Sequence, residues 1–554
     1  MPTLIDLFSG CGGFTLGMMR AGFDCVAAID FNPEAIATLR ANLQSKTPTG
    51  LKPVGYALEA DLTTLSPKIL AAIIGANSID VIVGGPPCQG FSTARQRDGS
   101  NHGTERLKAD PRRHLFREFL RHVDHFQPKV FVIENVLGLR SAGGGKYFTA
   151  VQHESRILGQ SEGRPGYRVH GQIEKGESLG VPQKRRRQLI IGVRADLPGY
   201  FPTELTPVAR AKIGTMLGDA IGDLPALDAG EGTHDCGYDL KRRNNIFLGG
   251  ARNAFRKQYL HRVAEVHEAA VLSNHVARPH SSRDLRDFSI IPEGSSSAEI
   301  MRQGGKFEFP YDKSSFKDRY TRQHRNRPCS TIVAHLSKDG LMFIHPTQNR
   351  SLTPREAARV QSFPDWFFFP QAQTHSFRLV GNAVPPLVSE AVGVAIKVFL
   401  KKQKMAIRAN LMATNRVSST PSDYLEVKAK LNVLMRCTRQ ELKALPMSDF
   451  LKGWHALLWL FPSLHPDNAL DHGRDTLDWP EARKVLPLSD SDDLQYYARS
   501  GWPVALVLIG EEAWRRYNDY KINRADFYSA EAQASGLLHR CESSAGSKIQ
   551  AADL

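Results

Sequence analysis

Three short clusters in this 554-residue chain hold side chains able to do chemistry. The first is Gly84-Gly85-Pro86-Pro87-Cys88-Gln89-Gly90-Phe91-Ser92, where two glycines and two prolines impose an irregular backbone just ahead of a cysteine. Most cysteines are inert packing residues. One presented on a rigid turn at the end of an apolar run is a candidate nucleophile. The second is Glu134-Asn135-Val136, a carboxyl group closing an apolar run and so a candidate proton donor, although a capping or ion-paired Glu is the plainer reading. The third is Gln183-Lys184-Arg185-Arg186-Arg187, which leads straight into another apolar run. Four successive cations usually make a solvated face or a phosphate contact, and in an extended chain only alternate ones point inward.

A fourth pattern is suited to binding. Asp6-Leu7-Phe8-Ser9-Gly10-Cys11-Gly12-Gly13-Phe14 runs from an apolar strand through glycines into a helix. Such a turn lets a ligand approach the backbone and meet free N–H groups at the helix start. Asp30, 20 residues beyond Gly10, ends the next apolar run, where a carboxylate can accept from ribose hydroxyls. Together they point to a nucleoside-containing cofactor or, more plainly, to a tight turn with an incidental Asp. Asp61 offers a further acceptor or a helix N-cap.

These clusters sit at the ends of regular elements. Leu4–Phe8, Cys25–Asp30, Asp80–Gly85, Lys129–Glu134 and Gln188–Val193 read as buried strands, with helices through Met19 and from Pro33 to Leu43. Strands separated by helix-length segments predict an α/β fold with a doubly wound parallel sheet, whose ligands lie at the strands' carboxyl ends. From 195 to 326 the periodicity weakens and loops multiply, predicting a smaller, irregular lobe. Helical patterns return at Pro354–Gln361 and Pro386–Lys402. The expected organisation is a catalytic and cofactor domain at 1–194 completed by 376–402, a recognition lobe and return segment at 195–375, a linker at 403–425, and an extra C-terminal α+β or α-rich unit at 426–554. Five of the six Trp fall in that last unit, whose role nothing in the sequence defines.

In content and order these blocks resemble the DNA (cytosine-5) methyltransferases of bacteria and phages. The likeness also takes in Arg327-Pro328-Cys329-Ser330-Thr331-Ile332, Leu352-Thr353-Pro354-Arg355-Glu356-Ala357-Ala358-Arg359, Gln361-Ser362-Phe363-Pro364 and Gly381-Asn382-Ala383-Val384-Pro385-Pro386, and covers about residues 3–400. The local sequence before Gly180 departs from the family pattern. The resemblance implies S-adenosylmethionine as cofactor, with S-adenosylhomocysteine as product. Phe8 and Phe31 would flank the adenine, Asp30 would hold the ribose, and Asp61 with Leu62 would read the adenine edge. Gly10, Gly12 and Gly13 would admit the methionine moiety, Asn382 and Val384 would close the pocket, and Ser9 and Pro86 belong to the same set. Cys88 would add to carbon 6 of cytosine and make carbon 5 nucleophilic, with Glu134 at N3. Arg187, with Arg185 beside it, would bind the base's O2. The base must leave the duplex stack for this to happen.

Charge agrees with a polyanionic partner. The chain has 72 basic and 57 acidic side chains, net +15, with 41% hydrophobic and 23% charged residues, values ordinary for a globular protein. Residues 89–122 hold eight cations against four acids, and their Gly- and Ser-containing stretch 98–103 could close over an extruded nucleotide. Gln89, Ser92, Arg95 and Arg97 are expected DNA contacts, whereas Arg117 and Arg121 read as an exposed helix face. The stretch 241–262 has seven cations and no acid, making Lys241, Arg242, Arg243, Arg252, Arg256 and Lys257 expected phosphate contacts in the recognition lobe. Two alternatives stay open: an RNA cytosine-5 methyltransferase acting on transfer RNA, and a non-catalytic DNA-binding regulator. A recognition region of about 130 residues favours DNA over the first, and intact Cys88, Glu134 and Arg187 oppose the second. Seven scattered cysteines predict neither a disulfide framework nor a metal site. No apolar run nears the roughly 18 residues of a membrane span, and no secretory leader is evident. The expected setting is the cytoplasm, as a monomer on double-stranded DNA, beside a cognate restriction or defence system.

Overall fold

The computed structural model describes residues 1–48, 50–87, 114–159, 162–197, 201–202, 204–211, 216–237, 253–265, 271–309, 320–338, 340–414 and 431–460, with single positions at 509, 512 and 515. Residues 1–399 form one compact unit and residues 400–554 a second.

The first unit is built on a seven-stranded sheet of β1 (Thr3–Leu7), β2 (Asp24–Asp30), β3 (Tyr56–Glu59), β4 (Val81–Gly84), β5 (Val130–Asn135), β6 (Tyr167–Lys175) and β7 (Arg186–Arg194). Its order is β3-β2-β1-β4-β5-β7-β6. The apolar runs that suggested strands are those buried on both faces: every residue of β4 and β5 is buried. The helices include α1 (Gly13–Arg20), α2 (Pro33–Leu39), α3 (Pro67–Ile74), α4 (Phe116–Phe126) and α5 (Lys146–Arg156). Asn32 and Ser66 accept from Ala35 N and Ile69 N, each followed by Pro at the first helical position, so α2 and α3 start where capping chemistry dictates. The helix expected to reach Leu43 leaves α-geometry at Arg40 for a π-helical turn, Arg40–Ser45.

One feature of the predicted sheet is corrected. β1 to β5 pair in parallel, but β7 is antiparallel to both β5 and β6. Only residues 176–185 join β6 to β7, too few for the crossover that parallel neighbours need. β6 itself, with its half-polar pattern, has no apolar run to announce it. The strand order reverses between β1 and β4, and that switch point is where an open α/β sheet leaves a crevice.

Beyond the sheet, β8 (Gly232–Gly237) and β9 (Val271–Val276) form an antiparallel pair, and α6 (Asn253–Arg262) lies in the connection between them. Three fully buried arginines organise the return segment around α7 (Pro354–Val360). Arg350 is bidentate to Glu356 at 2.8 and 2.7 Å. Arg355 donates to Ser273 O and Oγ, Pro364 O and Phe367 O. Arg359 meets Asp223 at 2.5 Å and Asp365 at 2.7 and 2.6 Å. Burial opposes the Glu356 charge, but Arg350 holds its carboxyl below the usual range.

α8 (Gln373–Asn382) and α9 (Pro386–Thr414) then return to α1. Contact is close enough that a Cβ on Gly17 would lie 2.1 Å from Ser389 Oγ and 2.4 Å from Pro386 O. The run 373–402 is apolar and long enough to cross a membrane, an exception to the sequence expectation, yet its apolar window is 72% buried within the protein, as in a core helix. α9 runs on to Thr414, so the start of the expected linker is helical. The described part of the second unit is helical too: Arg439–Ala444, capped by Thr438 and Glu441, and Met447–Leu460. Leu431, Leu434, Leu442, Phe450 and Trp454 are buried there.

Candidate active site

The chain leaves β1 through left-handed backbone at Phe8 (φ 58°), Gly10 (φ 55°) and Gly12 (φ 93°) before α1 begins. Gly10 N donates to Asp30 Oδ2 at 2.8 Å and Asn32 N to Asp30 Oδ1 at 2.9 Å, so one carboxylate at the end of β2 fixes the glycine turn. A Cβ on Gly10 would meet nothing within 4 Å, whereas one on Gly13 would lie 2.3 Å from Val384 O. The loop is thus open at Gly10 and sealed at Gly13 by the segment that carries Asn382 and Val384. Asn382 is exposed and Val384 buried. Phe8 is half-buried, and Phe31, at 65%, is exposed.

Asp6, fully buried in β1, accepts from Thr15 Oγ1 at 2.6 Å. Burial, helped by the neighbouring Asp30 charge and opposed by Thr15, pushes its carboxyl up to about 7. Burial also raises Asp30, against the N–H groups of Asn32 and Gly10. Among the described residues, Asp6 Oδ1 and Ser9 Oγ are buried with no hydrogen-bond partner. An open glycine face, a ribose-competent carboxylate and two unsatisfied buried polar atoms fit a small polar ligand carrying a nucleoside. Asp61 is exposed and Leu62 is buried in the core, at a turn that follows β3.

The second half of the site lies at the ends of β4, β5 and β7. Glu134 is 8% exposed, and its Oε1 is 2.8 Å from Arg187 Nε. Glu134 pairs across the ladder with Leu189, and Arg187, two residues from Leu189, shares that face. Gly85 leaves room for the carboxylate, since a Cβ there would be 3.3 Å from Glu134 Oε2. Asn135 Nδ2 donates to the carbonyl of buried Pro86 at 3.2 Å, tying the turn before Cys88 to the strand that carries Glu134. Cys88 itself lies outside the described residues, as do Gln89, Ser92, Arg95 and Arg97.

Alternation sorts the four cations. Lys184 and Arg186 are exposed, Arg185 is buried and Arg187 half-buried. Arg185, expected beside Arg187 in the catalytic set, has its described bonds to the return segments. Its guanidinium donates to Ile332 O at 2.8 Å and Ala383 O at 3.0 Å, because those two return segments present carbonyls to it. It is a clamp. Gln183 and Gln361 also tie distant segments together, with Gln183 Nε2 donating to Gln361 Oε1 at 2.5 Å and Gln361 Nε2 to Val380 O at 2.6 Å. No local signal marked these glutamines as structural; only their place inside the blocks did.

Of the expected recognition residues, Lys241, Arg242, Arg243 and Arg252 lie outside the described residues, and Arg256 is placed within α6. Lys257 is exposed on α6, whose Tyr259 and Leu260 are buried. Arg117 pairs with Glu154 at 2.8 Å and Arg121 donates to the carbonyls of Leu62 and Leu65. Among the described residues no group of His, Cys, Asp and Glu could hold a metal.

Known proteins resemble this chain over most of its length. The family model for C-5 cytosine-specific DNA methylase matches residues 3–398. Type II methyltransferase M.DdeI of Desulfomicrobium norvegicum is 32% identical over 444 residues, covering 78% of this chain and 97% of the relative. Type II methyltransferase M1.HphI of Haemophilus parahaemolyticus is 34% identical over 394 residues, covering 71% and 86%. A crystal structure described as a DNA modification methyltransferase encoded within a prophage (E. coli) superposes with a TM-score of 0.52 at 25% identity, over 72% of this chain and 100% of that one. By its ordered blocks, its sheet and these relatives, the chain belongs to the C-5 cytosine-specific DNA methylase family.

Proposed function

We propose that this DNA cytosine-5 methyltransferase flips a cytosine out of duplex DNA at a specific sequence and methylates it through a covalent Cys88 adduct. The observation that carries the reading is the Glu134–Arg187 pair beside Pro86, at the switch-point edge that also presents the Asp30-bound glycine turn. S-adenosylmethionine, held by Phe8, Ser9, Gly10, Gly12, Gly13, Asp30, Phe31, Asp61, Leu62, Pro86, Asn382 and Val384, supplies an electrophilic methyl group when bound.

The remaining chemistry belongs to the chain. The Cys88 thiolate adds to carbon 6 of the flipped base, and Glu134 stabilises the electron density that reaches N3. Arg187, which faces Glu134, binds the base's O2. The enamine-like carbon 5 then takes the methyl group, loses its proton, and Cys88 leaves with its electron pair. The stretch 98–103 closes over the extruded nucleotide, and the 195–375 lobe reads the sequence, with the cations between β8 and β9 on the phosphates. The 376–402 segment completes the cofactor domain, and 403–425 leads to the C-terminal unit. The enzyme works in the cytoplasm as a monomer on double-stranded DNA, within a restriction-modification or defence setting.

The test is incubation with labelled S-adenosylmethionine and either duplex DNA or transfer RNA. Label in DNA, absent from transfer RNA and lost in Cys88→Ala, is the expected outcome. Labelling that survives Cys88→Ala overturns the mechanism. A duplex with fluorine at carbon 5 of the target cytosine should trap the enzyme covalently through Cys88.

A further inference from the structure

The β3–α3 turn is closed from within and held from outside by one arginine. Asp61 gathers donors of the turn: its Oδ1 accepts from Thr63 N at 2.9 Å, and its carbonyl from Thr64 N at 3.0 Å, Thr64 Oγ1 at 3.0 Å and Leu65 N at 2.9 Å. The carbonyls of Leu62 and Leu65 are left facing α4, and Arg121 Nη2 donates to both, at 2.6 and 3.1 Å. Glu118, one turn earlier on α4, sets its carboxylate 2.9 Å from the same nitrogen. Ala60 N donates to Asp30 O at 3.0 Å, so the turn starts on the residue that ties down the glycine loop.

α4 is a rigid base for this arm. Phe119 packs so close to the end of β4 that a Cβ on Gly84 would lie 3.0 Å from its ring, and it meets Phe131 edge-on at 6.1 Å between centroids. The helix therefore rests on the strand that leads to Cys88 while its arginine reaches the turn holding Asp61 and Leu62. A charge-assisted bond to a carbonyl is stronger than a neutral one and fixes the peptide plane it grips. The plane gripped here is the Leu62–Thr63 peptide, next to the Asp61–Leu62 edge.

We infer that Arg121 is a positioning residue for the cofactor: by gripping the Leu62 and Leu65 carbonyls it sets the orientation of the Asp61–Leu62 edge and so the affinity for S-adenosylmethionine, without contacting DNA. This rests on the reading of Asp61 and Leu62 as the adenine edge. It predicts a change in cofactor binding that leaves the chemical step and the DNA affinity in place.

The test is calorimetric titration of S-adenosylhomocysteine into the full chain as wild type, Arg121→Ala, Arg121→Lys and Arg117→Ala, with steady-state kinetics beside it. Arg121→Ala should weaken binding about five- to tenfold, which is about 1 to 1.4 kcal/mol, and raise KM for S-adenosylmethionine equally. Its kcat and KM for DNA should stay within about twofold. Arg121→Lys should recover part of the affinity, since its ammonium can donate to the carbonyls that the single Nη2 serves but sits on a shorter, more flexible stem. Arg117→Ala, on the same helix but paired with Glu154, should bind like wild type. Wild-type affinity in Arg121→Ala overturns the inference, as does a parallel fall in kcat and DNA affinity. If Arg121→Ala does not fold, Arg121→Lys with unchanged affinity overturns it equally. Failure of the wild type to bind S-adenosylhomocysteine would instead overturn the underlying assignment of the cofactor site.

Discussion

Arg187 and Glu134 meet at 2.8 Å across two antiparallel strands, with both side chains largely withdrawn from solvent. Each orients the other, and both lie beside the turn that leads to Cys88. Removing either partner should lower single-turnover methyl transfer by about 10² to 10⁴. In the Glu134→Gln, Arg187→Ala double-mutant cycle the two losses should be less than additive, because one interaction is removed twice. Strict additivity in rapid-quench measurements would mean that the pair acts as two independent groups.

Arg359 is fully buried between Asp223 and Asp365, which are 142 residues apart in sequence. Arg359→Ala removes the cation that two buried carboxylates share and should destabilise by about 3 to 5 kcal/mol. Arg359→Lys should recover only part of that, because a lysine cannot serve both acids in a planar fork. Thermal unfolding followed by circular dichroism measures both; a melting temperature for Arg359→Ala equal to wild type would refute the clamp.

The glycine loop should answer to position. Gly13→Ala drives a Cβ to 2.3 Å from the Val384 carbonyl, a clash with backbone that no rotamer relieves, and should cost about 1 to 3 kcal/mol. Gly10→Ala meets no atom within 4 Å but must hold φ at 55°, costing about 1 to 2 kcal/mol. Its methyl would occupy the open face, so Gly10→Ala should fold yet bind S-adenosylhomocysteine more weakly. Equal binding by wild type and a folded Gly10→Ala would remove the loop from the cofactor site.

Asp6 gives stability a pH slope of unusual sign. Its carboxyl titrates at about 7 in the fold against an ordinary 3.8, so between those values the folded chain keeps a proton that the unfolded chain has lost. The associated stability is complete below the lower value and is lost as pH rises through about 7. Asp6→Asn, which still accepts from Thr15, should abolish that slope, on the order of a few kcal/mol. Parallel melting curves for variant and wild type from pH 5 to 8 would show that Asp6 is not the group responsible.

The sequence by itself determined the order of the blocks, five strands of the sheet, the start of α2 at Pro33, and the glycine turn with Asp30 at the end of the next strand. All of these rest on local features: apolar runs, a Pro at a helix start, glycines where φ is positive, and a spacing set by one β–α–β step. Tertiary structure decided what depends on pairing between distant segments. Alternation allowed both Arg185 and Arg187 to point inward. Only the fold sends Arg187 to Glu134 and Arg185 to carbonyls 147 and 198 residues away in sequence. The antiparallel entry of β7, the burial of Arg350, Arg355 and Arg359, and the reach of Arg121 to Leu62 arise in the same way. A long cationic side chain has no local preference strong enough to choose its acceptor; the acceptors are assembled only when remote strands and turns are packed together.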